Sequence, residues 1–126
     1  MITPRTNAPS LEDGKIFVDD INSVLSQETQ KFVDGICVPK VDTMQDWSTI
    51  ENLLSSLEKD SGVRPGTFKV IPQIESTKSF MNMKEIFQED EKLYKRINAA
   101  AFGGDDFTAD FGVYRSDDDR ELHFAR

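Results

Sequence analysis

The chain predicts an α/β fold built on a parallel sheet, and three observations carry that expectation. Short apolar stretches alternate along the sequence with longer stretches whose apolar residues recur at helical spacing. The markers at the strand ends recur at the length of one βα unit: Pro39 to Pro72 is 33 residues and Glu75 to Asp106 is 31. The total of 126 residues fits one domain, 1–126, and not two. No sequence repeat accompanies the spacing, so it is an architectural period only.

The elements follow in order. Residues 1–10 carry loop residues, including Pro4 and Pro9, and read as the exit of a strand. Ile16, Phe17, Ile21, Val24 and Leu25 predict a helix over about 15–26. In 33–41, VDGICVPKV, a β-branched run begins after Gly35. It should stop at Pro39, which has no N–H for a ladder. Thr43 is placed to cap a helix over about 44–59, with Trp47, Ile50, Leu53, Leu54 and Leu57 on one face. SGVRPG at 61–66 is a turn. TFKVIPQI at 67–74 is the next strand, with Glu75 directly after it. Ser76 or Thr77 opens a third helix whose buried stripe is Phe80, Met83, Ile86 and Phe87. The charged run 88–95 ends that helix or forms the loop after it. Residues 97–102 are the last strand, followed by GGDDFTADFG, an acidic turn with Asp105, Asp106 and Asp110. Ser116 is placed to cap a final helix, with Leu122 and Phe124 on its apolar face.

Composition narrows the function classes. Hydrophobic residues make up 37% and charged residues 30%, as in a globular domain rather than a disordered one. The net charge of −8 speaks against nucleic acid as a partner and is compatible with a divalent cation. Cys37 is the single cysteine and His123 the single histidine, which excludes an internal disulfide and a Cys- or His-rich metal cluster. Cys37 reads as an inert, buried thiol. No apolar run is long enough to span a membrane and no signal-peptide core is visible, so an intracellular setting, cytoplasm or mitochondrion, is expected.

Each strand ends on a polar group: Lys40 after the first, Glu75 after the second, Asp106 after the third. In a parallel sheet these ends point the same way, where α/β folds place their chemistry. Two carboxylates from adjacent strands make a hard-oxygen site suited to Mg²⁺, which commonly takes one or two carboxylates and keeps its other positions for water and substrate. Read one at a time, Glu75 is also a favourable residue at a helix start, Asp105 a solvated turn residue, and Lys40 a surface lysine or the ion-pair partner of one of the acids.

VPKV at 38–41, IPQIES at 71–76 and AAAFGGDDFTADFG at 99–112, in this order and spacing, resemble successive signatures of the HpcH/HpaI aldolase family. That family takes in the citrate lyase β-subunit-like proteins and the malyl-CoA and citramalyl-CoA lyases. LHFAR at 122–126 is similar to the family's Leu-x-Tyr-Ala-Arg, and MITP at 1–4 resembles the strand end where the family has Arg-x-Asn-Pro. The resemblance implies a (β/α)₈ TIM barrel, of which this chain would hold about half, from the tail of the third strand to the start of the sixth helix.

The resemblance also implies Glu75 and Asp106 as ligands to Mg²⁺ or Mn²⁺. It implies that the backbone N–H groups around Gly104, Asp105 and Asp106 hold the carboxylate of a small keto acid. Asp105 stands where the family often has Glu and is not made a ligand; Lys40 matches a motif lysine that would orient the carboxylates. The implied reaction is Mg²⁺-dependent cleavage of a 3-hydroxyacyl-CoA of the citramalyl, malyl or citryl type. Its partners would be an acyl-CoA and a small keto acid, in a homo-oligomer, trimer or hexamer. The family's substrate-binding arginine and its acid/base aspartate are expected outside this segment, so no catalytic residue is assigned within it.

Two other readings compete. One is a non-catalytic truncated relative that acts as a binding or assembly subunit. The other is a receiver-type signalling domain of similar size, but receivers carry their acidic pair after the first strand, whereas here the pair comes late.

Overall fold

Gly35–Val38 (β1) and Lys69–Ile74 (β2) pair in parallel, and β2 pairs in parallel with Ala101–Phe102 (β3), giving a sheet of order β1-β2-β3. The computed structural model describes residues 2–88 and 95–125. The expected alternation is present, with helices Lys15–Val24 (α1), Met44–Ser61 (α2), Thr77–Met81 (α3), Met83–Gln88 (α4) and Gly104–Phe111 (α5). Beside β1, the first residues add parallel backbone bonds. Cys37 N–H donates to Pro4 O at 2.9 Å, Thr6 N–H to Cys37 O at 3.0 Å and Asp34 N–H to Ile2 O at 2.9 Å. This strip runs parallel to β1, with a single bridge between Arg5 and Cys37. The first strand is joined closely to the second at Gly35, where a β-carbon would lie 2.1 Å from Lys69 O, so no other residue fits there.

β2 alternates half-buried and buried positions, as the period of a strand requires. Its buried set, Val70, Pro72 and Ile74, lies with Ile36 and Val38 of β1 among the fully shielded residues. Phe17, Ile21 and Leu25 from α1, and Trp47, Ile50 and Leu54 from α2, join Ile36, Val38 and Val70 in one core cluster. The i, i+4 and i, i+3 spacing of these residues puts them on one face of each helix. α2 begins in a capping box: Asp46 N–H donates to Thr43 Oγ1 at 3.2 Å and Thr43 N–H donates back to Asp46 Oδ2 at 2.8 Å.

Four expectations need correction. The third helix is two short helices broken at Asn82, whose Nδ2 donates to Asp42 O at 2.8 Å. Of its predicted stripe, Ile86 is buried, Phe80 and Phe87 are half-buried, and Met83 is exposed. The last strand is shorter than 97–102. Val70 N–H donates to Arg96 O and Asn98 N–H to Val70 O, but the next donor in that ladder is Pro72, which has no N–H. Pairing is therefore a single bridge at Ile97 and resumes only at Ala101.

The acidic turn is largely helix: Asp105 and Asp106 sit in the first turn of α5, where carboxylates favour the helix dipole, and Gly112 closes it at φ 74°. The final helix is reduced to a 3₁₀ turn, Arg120–Leu122, because Asp119 takes a left-handed backbone at φ 54° and Ser116 Oγ donates to Glu121 Oε2. Leu122 is buried there, but Phe124 is wholly exposed. Residues 89–94 of the charged run, and Arg126 of LHFAR, lie outside the described residues.

Candidate functional site

The three strand-end groups meet at one cavity of about 520 Å³, lined by Lys40, Glu75 and Asp106 together with Arg5, Thr6 and Asn7. Each reaches it for a local reason. The chain leaves β1 through Pro39, and Lys40 then takes a left-handed φ of 49°, uncommon for a residue with a side chain, which turns the backbone sharply out of the strand. Its Nζ lies 4.0 Å from Asp106 Oδ1. Glu75 is the first residue beyond β2, directly before the Ser76 cap of α3, and is 2% exposed. Asp106 is in the first turn of α5 and its side chain is half exposed.

Glu75 is the unusual member. Its Oε1 is shielded from water and accepts no hydrogen bond. The nearest cation is Arg5 Nη2 at 3.7 Å, within ion-pair range but too far for a hydrogen bond. Burial pushes the Glu75 carboxyl above its ordinary value, and repulsion from Asp106 adds to this, while Arg5 and Lys40 oppose it. A buried carboxylate oxygen without a donor is costly unless something cationic meets it. Glu75 and Asp106 both line this cavity, and carboxylate oxygens are the hard donors that Mg²⁺ or Mn²⁺ takes. Among the described residues no group of three or more His, Cys, Asp and Glu side chains forms a metal cluster. A divalent ion here would rest on the carboxylate pair, with water or substrate completing its shell.

Gly104 and Asp105 do not line this cavity. The Asp105 side chain is 87% exposed and paired with Arg115, in a neighbouring groove. Gly104 backs onto Leu122, whose Cδ1 would lie 2.9 Å from a β-carbon there. Their backbone lies at the start of α5, the helix that carries Asp106. The α5 ladder begins with Phe107 N–H donating to Gly103 O, so the N–H groups of Gly104, Asp105 and Asp106 belong to the first turn, which has no acceptor within the helix. Asp110, the third acid of the stretch, turns instead to Thr77. Cys37, expected to be buried, is only half-buried, and burial pushes its thiol above the ordinary value.

Sequence reasoning missed Arg5. It lines the cavity from the strip that pairs with β1, with its guanidinium beside Glu75. The signal was present: Arg5-Thr6-Asn7, with Pro9 shortly after, is an Arg-x-Asn run one step beyond the stretch compared with the family pattern. Asn7 is anchored through its N–H and Nδ2, both donating to Asp20 Oδ2, at 2.7 and 2.8 Å.

Parallel βα units with acidic residues at the carboxyl ends of the strands place this chain among the α/β folds that carry their functional groups at that end of the sheet. Residues 9–126 match the HpcH/HpaI aldolase/citrate lyase family, and the chain belongs to it. It is 32% identical over 122 residues to the citrate lyase subunit beta of Escherichia coli K12, covering 97% of this chain and 37% of that protein. Against the citrate lyase subunit beta of Leuconostoc mesenteroides subsp. cremoris it is 31% identical over 94 residues, 75% of this chain and 30% of that protein. The chain thus spans about a third of the length of these relatives.

Among solved structures, it is similar to the Haloferax volcanii malate synthase pyruvate/acetyl-CoA ternary complex. The TM-score is 0.79 at 18% identity, over 90% of this chain and 32% of that one. The magnesium/glyoxylate complex of the same enzyme gives a TM-score of 0.76 at 20% identity, over 89% of this chain and 34% of that one. These neighbours are TIM-barrel enzymes, and the likeness is one of fold. Among the described residues no helix is long and apolar enough to cross a membrane.

Proposed function

We propose that this chain carries the metal-binding segment of a carbon–carbon lyase that cleaves a 3-hydroxyacyl-CoA into a shorter acyl-CoA and a small keto acid. Glu75 and Asp106 are its ligands to Mg²⁺ or Mn²⁺. The three-stranded sheet and the strip beside it are then part of a (β/α)₈ barrel, from the tail of its third strand to the start of its sixth helix. The observation that carries the reading is the buried, unbonded Glu75 Oε1 at the cavity it shares with Asp106. The family's citrate lyase subunits support it, as do structural neighbours described with acetyl-CoA and pyruvate or with magnesium and glyoxylate.

A divalent ion held by the pair supplies Lewis acidity toward a substrate oxygen and stabilises the negative charge that develops there. This chain's own residues do the rest of the positioning. Arg5 and the first-turn N–H groups of Gly104, Asp105 and Asp106 receive the carboxylate of the keto-acid half, through charge-assisted bonds. Lys40, with Nζ 4.0 Å from Asp106 Oδ1, adds positive charge beside that carboxylate.

In the cleavage direction the substrate hydroxyl gives up its proton and the bond between the hydroxyl-bearing carbon and the acyl α-carbon breaks. The electron pair passes to the acyl-CoA as an enolate, and the hydroxyl carbon becomes the keto carbon. A proton then returns to the α-carbon. The group that moves these protons is assigned to a residue outside this segment.

The test purifies the whole protein that carries this segment, offers it citryl-, malyl- and citramalyl-CoA with Mg²⁺ and separates the thioester products by chromatography. Cleavage of one of them, abolished by chelator and by Glu75→Gln, is expected. A protein that binds Mn²⁺ and acyl-CoA but cleaves none of the three supports the alternative, a non-catalytic relative acting as a binding or assembly subunit.

A further inference from the structure

Glu75 and Asp106 leave from different strand ends, so neither loop by itself fixes their separation. The two residues that follow Glu75 reach across to both neighbouring units. Ser76 Oγ donates to Asp42 Oδ1 at 2.5 Å, which ties the end of β2 to the loop after β1. Thr77 donates twice to one oxygen, Asp110 Oδ2, through its backbone N–H at 2.7 Å and its hydroxyl at 2.6 Å. That ties the same strand end to α5.

Asp110 stands four residues after Asp106 on α5, hence on the same helix face one turn further on. Its carboxylate is exposed and does not line the cavity that Asp106 lines. Thr77 is likewise outside that lining. The pair is thus a direct bridge between the element carrying one carboxylate and the element carrying the other.

We infer that the Thr77–Asp110 bridge is a positioning clamp that sets the separation of the Glu75 and Asp106 carboxylates, and through it the affinity for a divalent ion. The inference rests on the reading of Glu75 and Asp106 as a metal pair. Groups hydrogen-bonded directly to metal ligands are commonly worth about ten- to a hundred-fold in metal affinity, and a bridge one step behind the ligands is expected at or below the lower end of that range. A purely structural role is the competing account: Asp110 would then only satisfy the first N–H of α3, and its loss would lower stability without touching the metal.

The experiment titrates the protein with Mn²⁺ and follows the free ion by electron paramagnetic resonance, with unfolding of each variant followed by Trp47 fluorescence. Asp110→Ala is expected to raise the Mn²⁺ dissociation constant by about three- to ten-fold, less than loss of a direct ligand partner. Thr77→Val, which keeps the N–H and loses the hydroxyl, should raise it less. Asp110→Asn, which keeps an acceptor oxygen, and Thr77→Ser, which keeps both donors, should lie near the parent. Wild-type affinity in Asp110→Ala overturns the clamp. Mn²⁺ binding that survives Glu75→Gln, or is missing from the parent protein, overturns the metal pair itself and the clamp with it. Because Asp110 and Thr77 sit outside the main core cluster, folding of these variants is expected to persist. If Asp110→Ala does not fold, the comparison of Thr77→Val with Thr77→Ser decides the matter.

Discussion

Gly103 backs directly onto Glu75: a β-carbon at position 103 would lie 2.7 Å from both Cβ and Oε2 of the glutamate. The backbone of Gly103 has a negative φ of −94°, so the glycine is required by the contact and not by its conformation. Glu75 is thus held from behind by the turn that launches α5, the helix that also carries Asp106.

Gly103→Ala tests this packing. The added methyl must displace Glu75 or push β3 away from β2, at about 1–3 kcal/mol of overpacking. Urea unfolding should show a loss of that size, and Mn²⁺ affinity should fall with it. An unchanged affinity would mean that Glu75 tolerates a shift and is not held in a defined place.

The end of the sheet opposite the site is fixed by a buried charge cluster. Arg96, 3% exposed, donates from Nη1 to Glu58 Oε1 at 2.7 Å and from Nη2 to Glu58 Oε2 at 2.9 Å, and it also pairs with Glu51. Glu58 in turn accepts the N–H groups of Gly66 and Phe68, both at 2.9 Å. Arg96→Met leaves Glu58 buried without its cation and should cost about 3–5 kcal/mol in urea unfolding.

Burial would raise the Glu58 carboxyl, but the Arg96 bond and the two backbone donors outweigh it and hold it below its ordinary value. A carboxylate lowered by folding contributes stability that is complete above its unfolded pKa and is lost as pH falls through the folded one. Acid unfolding of the parent should therefore steepen below about pH 4.3, the ordinary Glu value. Glu58→Gln should flatten that limb.

Arg5 separates substrate binding from metal binding. Arg5→Met removes a cation from beside Glu75 without removing a ligand. Affinity for a small keto acid such as pyruvate, measured by calorimetry with Mg²⁺ present, should fall by roughly ten- to a hundred-fold, the size of a lost hydrogen bond to a charged group. Mn²⁺ affinity should hold or rise. A parallel loss of both would make Arg5 a support of the metal pair instead.

The sheet leaves edges open. Among the described residues its order ends at β3 on one side and at the strip of residues 2–6 on the other, and Cys37, Ile71 and Gln73 on the face away from the core cluster are only half-buried. Open edges and an uncovered sheet face favour association. Sedimentation velocity of this chain should show concentration-dependent association. A sharp monomer with a cooperative melt would contradict it.

Much of the fold was legible because local chemistry and tertiary packing agree. Pro39 ends β1, Thr43 caps α2, and the helical spacing of Phe17, Ile21 and Leu25 and of Trp47, Ile50 and Leu54 marks the faces that meet in the core. The strand-end residues Lys40, Glu75 and Asp106 could be picked out because a parallel sheet sends all its strand ends one way, and they do reach one cavity.

What was not legible depends on partners distant in sequence. The short third strand follows from Pro72, a residue of the neighbouring strand. The break at Asn82 comes with a bond to Asp42 O. The glycines and acids of α5 are turn residues and point to a loop, although acids in a first turn and a glycine at the close are also a helix signature. Arg5 reaches the cavity through pairing of its strip with β1, a contact between residues 32 positions apart that no local pattern announces, even though its Arg-x-Asn run stands in the sequence.

The central claim is that Glu75 and Asp106 form a divalent-ion site. The most direct measurement is a Mn²⁺ titration of the parent protein and of Glu75→Gln, with the fold of each checked by unfolding. The account predicts saturable binding of one ion by the parent, and none by Glu75→Gln in a protein that still folds. Equal binding by the two would contradict it and take Glu75 out of the site.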